Sequence, residues 1–172
     1  MLKDRQIRVI GVAHSLEKCD FAKNAGADVV SLDDPQSIID TVFAQTNGNG
    51  VQALFDSVGS ALFDTSLRIL RKKGLFIHYG ANSGGLASID PMRLANAGSL
   101  YFVRPRLNDY ISTREELVNR SELLFNLFSM NRIKIFPQHI YALSEISLAH
   151  QALESRQSIG KSILQISPSS TG

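Results

Sequence analysis

Three short stretches carry most of the polar chemistry of this chain, and each follows an apolar run. Ala13-His14-Ser15 comes first, with Glu17-Lys18 one helical turn further on. Asp56-Ser57-Val58-Gly59 follows Val51-Gln52-Ala53-Leu54-Phe55, and Tyr79-Gly80-Ala81-Asn82-Ser83-Gly84 follows Leu75-Phe76-Ile77-His78. Small, glycine-rich loops let a flat ring or a sugar approach the backbone. His14, Ser15 and Lys18 suit a phosphate, by hydrogen bonding and by charge. Each stretch also has a plainer meaning: Ser15 is a good helix N-cap, Lys18 a solvated helix residue, and a glycine-rich segment an ordinary turn. Three such segments together say more than any one of them.

Other chemistries find little support. The histidines are His14, His78, His139 and His150, and none stands with Cys, Asp, Glu or a second His at metal-ligand spacing. His150, on a helix, reads as structural. The single cysteine, Cys19, excludes an internal disulfide and a cysteine-rich zinc site, and its place on an apolar helical stripe suggests burial. No G-x-S-x-G elbow or catalytic triad spacing occurs.

The elements that position these stretches alternate. Strands are expected at residues 7–12, 28–31, 51–55, 75–79, 99–103, 138–142 and 161–166. Helices are expected at 15–24, 35–46, 60–71, 91–97, 113–130 and 144–155. Ser15, Pro35, the Thr113/Glu116 capping box and Ser144 mark helix starts. Gly26 and Gly74 mark stops, with Arg71-Lys72-Lys73 complementing the negative end of the third helix. Residues 167–172 read as a disordered tail, leaving 1–166 as one partial dinucleotide-binding domain. Strands alternating with helices predict an α/β fold with a parallel sheet, whose ligands bind beyond the carboxyl ends of the strands. The three polar stretches fall there.

In a dinucleotide-binding sheet the second strand ends at the adenosine ribose, where an acid selects the free 2′-hydroxyl. Here that tip carries His14, Ser15 and Lys18, which suits a 2′-phosphate and hence NADP. Yet the first strand and its G-x-G-x-x-G turn are missing, and the few residues before Ile7 are too short for a strand and a helix. The expected fold is therefore an incomplete doubly wound, Rossmann-type parallel sheet lacking its first strand and glycine-rich turn.

Length and composition agree with one globular domain. The chain has 172 residues, 44% hydrophobic and 20% charged, with a net charge of +2. So small an excess does not imply nucleic acid. No apolar stretch suits a membrane span and the N-terminus lacks a signal peptide, so a cytoplasmic location is expected.

From Ile7 to Ile166 the chain resembles the C-terminal half of quinone oxidoreductases, the zinc-free, zeta-crystallin-like branch of the medium-chain dehydrogenase/reductase superfamily. The resemblance rests on Val9-Ile10-Gly11-Val12, Ser15-Leu16-Glu17-Lys18, Ala25-Gly26-Ala27-Asp28, Phe55-Asp56-Ser57-Val58-Gly59 and Ser66-Leu67-Arg68-Ile69-Leu70. It continues through Tyr79-Gly80-Ala81-Asn82-Ser83-Gly84, Thr113-Arg114-Glu115-Glu116-Leu117, Ala149-His150-Gln151-Ala152-Leu153-Glu154 and Gly160-Lys161. It implies hydride transfer from NADPH to a quinone or enone, without metal. Lys18 would reach the adenosine 2′-phosphate. Tyr79, Gly80, Ala81, Asn82 and Ser83 would lie along the ribose and nicotinamide side, with Lys161 a further candidate. Asp33 stands where the family often has Tyr or His on that phosphate. A carboxylate there repels phosphate, which leaves NADH as the other possibility. The family's N-terminal domain, which forms the substrate cleft, has no counterpart here, so no catalytic residue is named and the isolated chain is expected to be inactive or nearly so. The alternative is a non-catalytic remnant, or half of a split enzyme needing an N-terminal partner. Ser99-Leu100-Tyr101-Phe102-Val103 matches the strand that pairs across family dimers, and Leu100 and Phe102 would be poor residues for a bare edge, which favours a homodimer.

Overall fold

A computed structural model describes residues 2–133, 135, 137–155 and 158–166; the expected tail at 167–172 lies outside them. The chain forms two compact units, Leu2–Leu124 and Phe125–Gly172. In the first, β1 (Ile10–Ala13), α1 (Leu16–Asn24) and β2 (Val29–Leu32) are followed by α2 (Pro35–Gln45) and β3 (Val51–Asp56). A 3-10 turn at Ser60–Leu62 then leads into α3 (Phe63–Ile69), β4 (Leu70–His78), α4 (Pro91–Asn96), β5 (Tyr101–Val103), α5 (Leu107–Tyr110) and the start of α6 (Arg114–Ser129). The second unit holds β6 (Pro137–Ala142), a 3-10 turn at Leu143–Glu145, α7 (Ile146–Glu154) and β7 (Lys161–Gln165).

Among the described residues all strand pairs are parallel, in three sheets ordered β1-β2, β3-β4-β5 and β6-β7. The α/β class with parallel strands is as expected. β1 and β3 lie in separate sheets, and in a doubly wound order the missing first strand would stand in the gap between them. Direct pairing of β1 with β3, one way to close that gap, does not occur among the described residues. Helix α2 ties the two sheets together instead. Ile38, Ile39 and Val42 are buried with Ile69, and Ile10 of β1 and Val51 and Leu54 of β3 pack on the same cluster. The other cluster is centred on Phe76, which is fully buried among Phe63, Leu67, Leu70 and Leu100.

Several boundaries depart from the sequence reading, each for a local reason. β1 begins at Ile10 instead of residue 7, because the Val9 N–H donates to the Asp28 carboxylate at 2.7 Å and its carbonyl accepts from the Asp28 N–H. The third helix ends at Ile69, because burying Leu70 opposite Val51 requires extended backbone there. Arg71-Lys72-Lys73 consequently open β4, and only Arg68 lies in the last turn of α3. Gly74 is therefore no helix stop. It sits within β4, where a Cβ would lie 2.8 Å from the Arg71 carbonyl oxygen. Ser144 does not cap α7 but lies inside the preceding 3-10 turn, where the Glu145 carboxylate accepts from the Ala142 N–H. The 99–103 strand shortens to Tyr101–Val103, with Ser99 at φ 56°. Leu100 is buried in the core and Phe102 packs against it, so the exposed residue of that strand is Tyr101. Helix α5 was not anticipated.

The capping box of α6 forms as expected. The Glu116 N–H donates to Thr113 Oγ1, and the Thr113 N–H donates back to the Glu116 carboxylate, both at 3.1 Å. A hydrogen bond from Ser112 and then the Thr113 N–H hold the Glu116 carboxyl below its ordinary value of 4.5. A carboxyl lowered in the folded state contributes stability fully above its unfolded value and loses it as pH falls through the folded one. Glu116→Gln should therefore shrink the difference in unfolding temperature between pH 6 and pH 3. An acid limb identical to wild type in differential scanning calorimetry would contradict this assignment.

Candidate functional site

In the first unit the carboxyl ends of the strands form two corners. The first lies at β1 and β2, whose in-register pairing puts Ala13 beside Leu32. The Asp33 N–H donates to the Ala13 carbonyl at 3.1 Å, so the two strand exits are tied together. Ser15 leaves β1 in extended conformation and caps α1, its Oγ accepting from the Lys18 N–H at 3.3 Å. Ser15 and Lys18 thus share the first turn of α1, the positive end of its peptide dipoles. His14 Nδ1 stands 2.9 Å from Asp33 Oδ2, with both side chains well exposed. Such a pair is worth little in stability, but it holds Asp33 against His14 at this corner. Beneath it Cys19 is buried, as expected for an apolar stripe.

The second corner lies at β3 and β4, where two loops interlock. Tyr79 and Gly80 N–H groups donate to the Asp56 carbonyl, the Asn82 N–H to Ser57 and the Ser83 N–H to Val58. Ser83 Oγ donates to the Val58 carbonyl at 2.7 Å and accepts from the Ala61 N–H at 3.1 Å. The approach is close enough to require glycine. A Cβ on Gly80 would sit 2.8 Å from the Ser57 carbonyl oxygen. Gly59, at φ 94°, would place one 2.4 Å from that of Gly84. The sequence-selected residues Tyr79, Gly80, Ala81, Asn82 and Ser83 therefore form one shaped rim, with Tyr79 exposed.

Under this rim sits a pair that sequence reasoning missed. Register places Asp56 opposite His78, each two residues beyond a packed apolar residue, Leu54 and Phe76. Strand alternation turns both toward that same interior face. His78 Nδ1 lies 2.7 Å from Asp56 Oδ2, and the two side chains are 6% and 4% exposed. The carboxylate also accepts from the Val58 N–H at 2.8 Å and the Gly59 N–H at 3.2 Å, which ties the loop after β3 to the Asp56–His78 pair. Arg104, just after β5, donates to the His78 carbonyl at 3.0 Å. The signal was present as two polar residues ending consecutive apolar strands. Only the strand register shows that they meet.

Lys161, the remaining candidate, opens β7 in the second unit. No group of three or more His, Cys, Asp or Glu residues is close enough to hold a metal ion among the described residues. Nor is any described helix long and apolar enough to cross a membrane.

Parallel strands feeding small loops at their carboxyl ends define a dinucleotide-domain type of α/β protein. Residues 1–121 match the family model described as zinc-binding dehydrogenase. A quinone oxidoreductase of Salmonella typhimurium is 38% identical over 159 residues, which cover 91% of this chain and 49% of that protein. Quinone oxidoreductase 1 of Escherichia coli is 35% identical over the same shares of each. Among solved structures, the Escherichia coli quinone oxidoreductase complexed with NADPH superposes with a TM-score of 0.88 at 34% identity, covering 96% of this chain and 51% of that one. A mycobacterial protein complexed with NADPH gives 0.89 at 36% identity, with the same coverage. The chain belongs to the zinc-binding dehydrogenase family, and within the medium-chain dehydrogenase/reductase superfamily it corresponds to the C-terminal half of the quinone oxidoreductases. It spans about half the length of the curated relatives it matches.

Proposed function

We propose that the two corners hold the ends of an NADPH molecule, and that the chain serves hydride transfer to a quinone or an α,β-unsaturated carbonyl. The observation that carries this is the interlocked loop pair at the ends of β3 and β4, a rim in which Gly80 leaves no room for a side chain. The resident residues fit the cofactor at the Tyr79–Ser83 rim and at the Ser15–Lys18 helix start. Lys18 would meet the adenosine 2′-phosphate by charge. Tyr79, Gly80, Ala81, Asn82 and Ser83 would line the ribose and nicotinamide side, and Lys161 is a further candidate. Asp33 opposes a phosphate, and its contact with His14 is the feature that softens the opposition. NADH is the alternative cofactor. When bound, the cofactor supplies the hydride; the protein's part is to orient the ring and exclude water.

Calorimetric titration at low salt tests the reading. NADPH should bind more tightly than NADH, and Lys18→Ala should weaken NADPH by about tenfold to a hundredfold, the worth of a charged hydrogen bond. NADH affinity should be unchanged. Equal losses for both cofactors would remove Lys18 from the phosphate site.

The second reading is a non-catalytic remnant, or half of an enzyme completed by another polypeptide. It is favoured by β1 and β3 each having one edge without a strand partner among the described residues, since open strand edges invite pairing with another chain. Residues 1–166 would then be the partial cofactor domain, working in the cytoplasm. β5 pairs only with β4 among the described residues, and we read its free edge, with exposed Tyr101, as the homodimer surface.

A further inference from the structure

The open edges of β1 and β3 define what they lack. In a parallel ladder the backbone groups of successive residues turn to alternate sides. The Val9 and Ala13 carbonyls accept from the Val29 and Asp33 N–H groups, so Val9, Gly11 and Ala13 turn toward β2. Ile10 and Val12 therefore turn their N–H and C=O groups to the other edge. On β3 the Asp56 carbonyl accepts from the Tyr79 N–H, so Leu54 and Asp56 turn toward β4, and Ala53 and Phe55 away from it. Among the described residues no strand takes up either set. Val12 and Phe55 are also 45% and 58% exposed, whereas parallel strands are normally covered on both faces.

Helix α2 sets the width between the two edges. Ile10 of β1 and Val51 and Leu54 of β3 rest on one cluster that holds Ile38, Ile39 and Val42. A helix with its side chains is about 10–12 Å across, and two strand spacings come to about 9.5 Å. β1 and β3 can thus both rest on α2 with one strand between them, and they do not pair directly. The chain superposes on 51% of the Escherichia coli quinone oxidoreductase, which has about as much polypeptide again outside the match.

From this geometry we infer that a second, different polypeptide inserts one apolar strand between β1 and β3, parallel to both. It bonds Ile10 and Val12 on one side and Ala53 and Phe55 on the other. The inference rests on the half-enzyme reading and names what the completing chain presents. The strand is apolar on both faces, because one lies on the α2 cluster with Leu54 and the other beside Phe55, which alternation turns the opposite way. It holds no proline, because both of its edges are bonded.

Hydrogen exchange of the folded chain tests this. The probe is a synthetic peptide of about six β-branched residues followed by Gly-x-Gly-x-x-Gly, and the control carries proline in the middle of the run. The first peptide should slow exchange at the Ile10, Val12, Ala53 and Phe55 amides about tenfold, the worth of one backbone hydrogen bond. Gly11 and Leu54, already turned to β2 and β4, should change less, and the proline peptide should slow none of them. No slowing with the first peptide, or equal slowing with both, would overturn the insertion. Protection in the chain alone that is lost on dilution would also overturn it, by placing a second copy of this chain at those edges. Slowing confined to other strands would overturn the insertion and leave the half-enzyme reading standing. Reduction of a quinone with NADPH by the chain alone would overturn that reading, and the insertion with it.

Discussion

Asp56→Ala should cost about 3–5 kcal/mol of unfolding free energy, since each donor left without its acceptor in a buried place costs about 1–3 kcal/mol and three donors are affected. The reason lies in what remains. The His78 imidazole and the N–H groups of Val58 and Gly59 all lose their acceptor at once, in a place from which water is largely excluded. Asp56→Asn retains one oxygen and should cost less. The damage should concentrate at the two loops, with amide exchange rising at 57–60 and 79–84 before it rises along β3 and β4. Urea denaturation gives the first quantity and hydrogen exchange the second. A loss below about 1 kcal/mol, the scale of a surface substitution, would mean that the carboxylate is not the hub of the loop pair.

Phe76→Ala is expected to cost about 3–5 kcal/mol, the transfer free energy of the ring plus the cavity it leaves. Phe76 is the most deeply buried large side chain in the described structure. Its ring meets Phe63 at 5.6 Å and Phe102 at 5.2 Å between centroids, and His78 edge-on at 6.4 Å. It therefore joins α3 to β5 and supports the imidazole from below. Phe76→Leu should recover most of the loss, since a large aliphatic side chain refills much of the space. Equilibrium unfolding in urea measures both. An alanine variant as stable as wild type would show that these three elements do not share one core.

Much of this architecture was legible from residue patterns. The apolar runs 7–12, 51–55 and 75–79 located the strand exits to within one residue of Ala13, Asp56 and His78, and Ser15, Pro35 and Thr113 located helix starts, because caps are set by local chemistry. The errors lie where tertiary packing overrides local preference. Leu70 leaves the helix because the core needs it opposite Val51, and that moves Arg71-Lys72-Lys73 into a strand. Ser144 is taken up by the 3-10 turn Leu143–Glu145, so the N-cap position of α7 falls to Glu145, whose side chain makes no cap bond to that helix. The candidate rim could be read from its small residues. The Asp56–His78 pair could not, since 22 residues separate the partners and only the register of β3 on β4 brings them together. The absence of a first strand was anticipated from the missing glycine-rich turn. That α2 joins the two sheets was not.

The most direct test of the central claim, that the two corners form one dinucleotide site, is a titration of the isotopically labelled chain with NADPH followed by amide chemical shifts. Saturable shifts should appear together at Ser15–Lys18 and at Tyr79–Ser83, with a single dissociation constant. Shifts at only one corner, or none at either, from a folded chain would contradict the account.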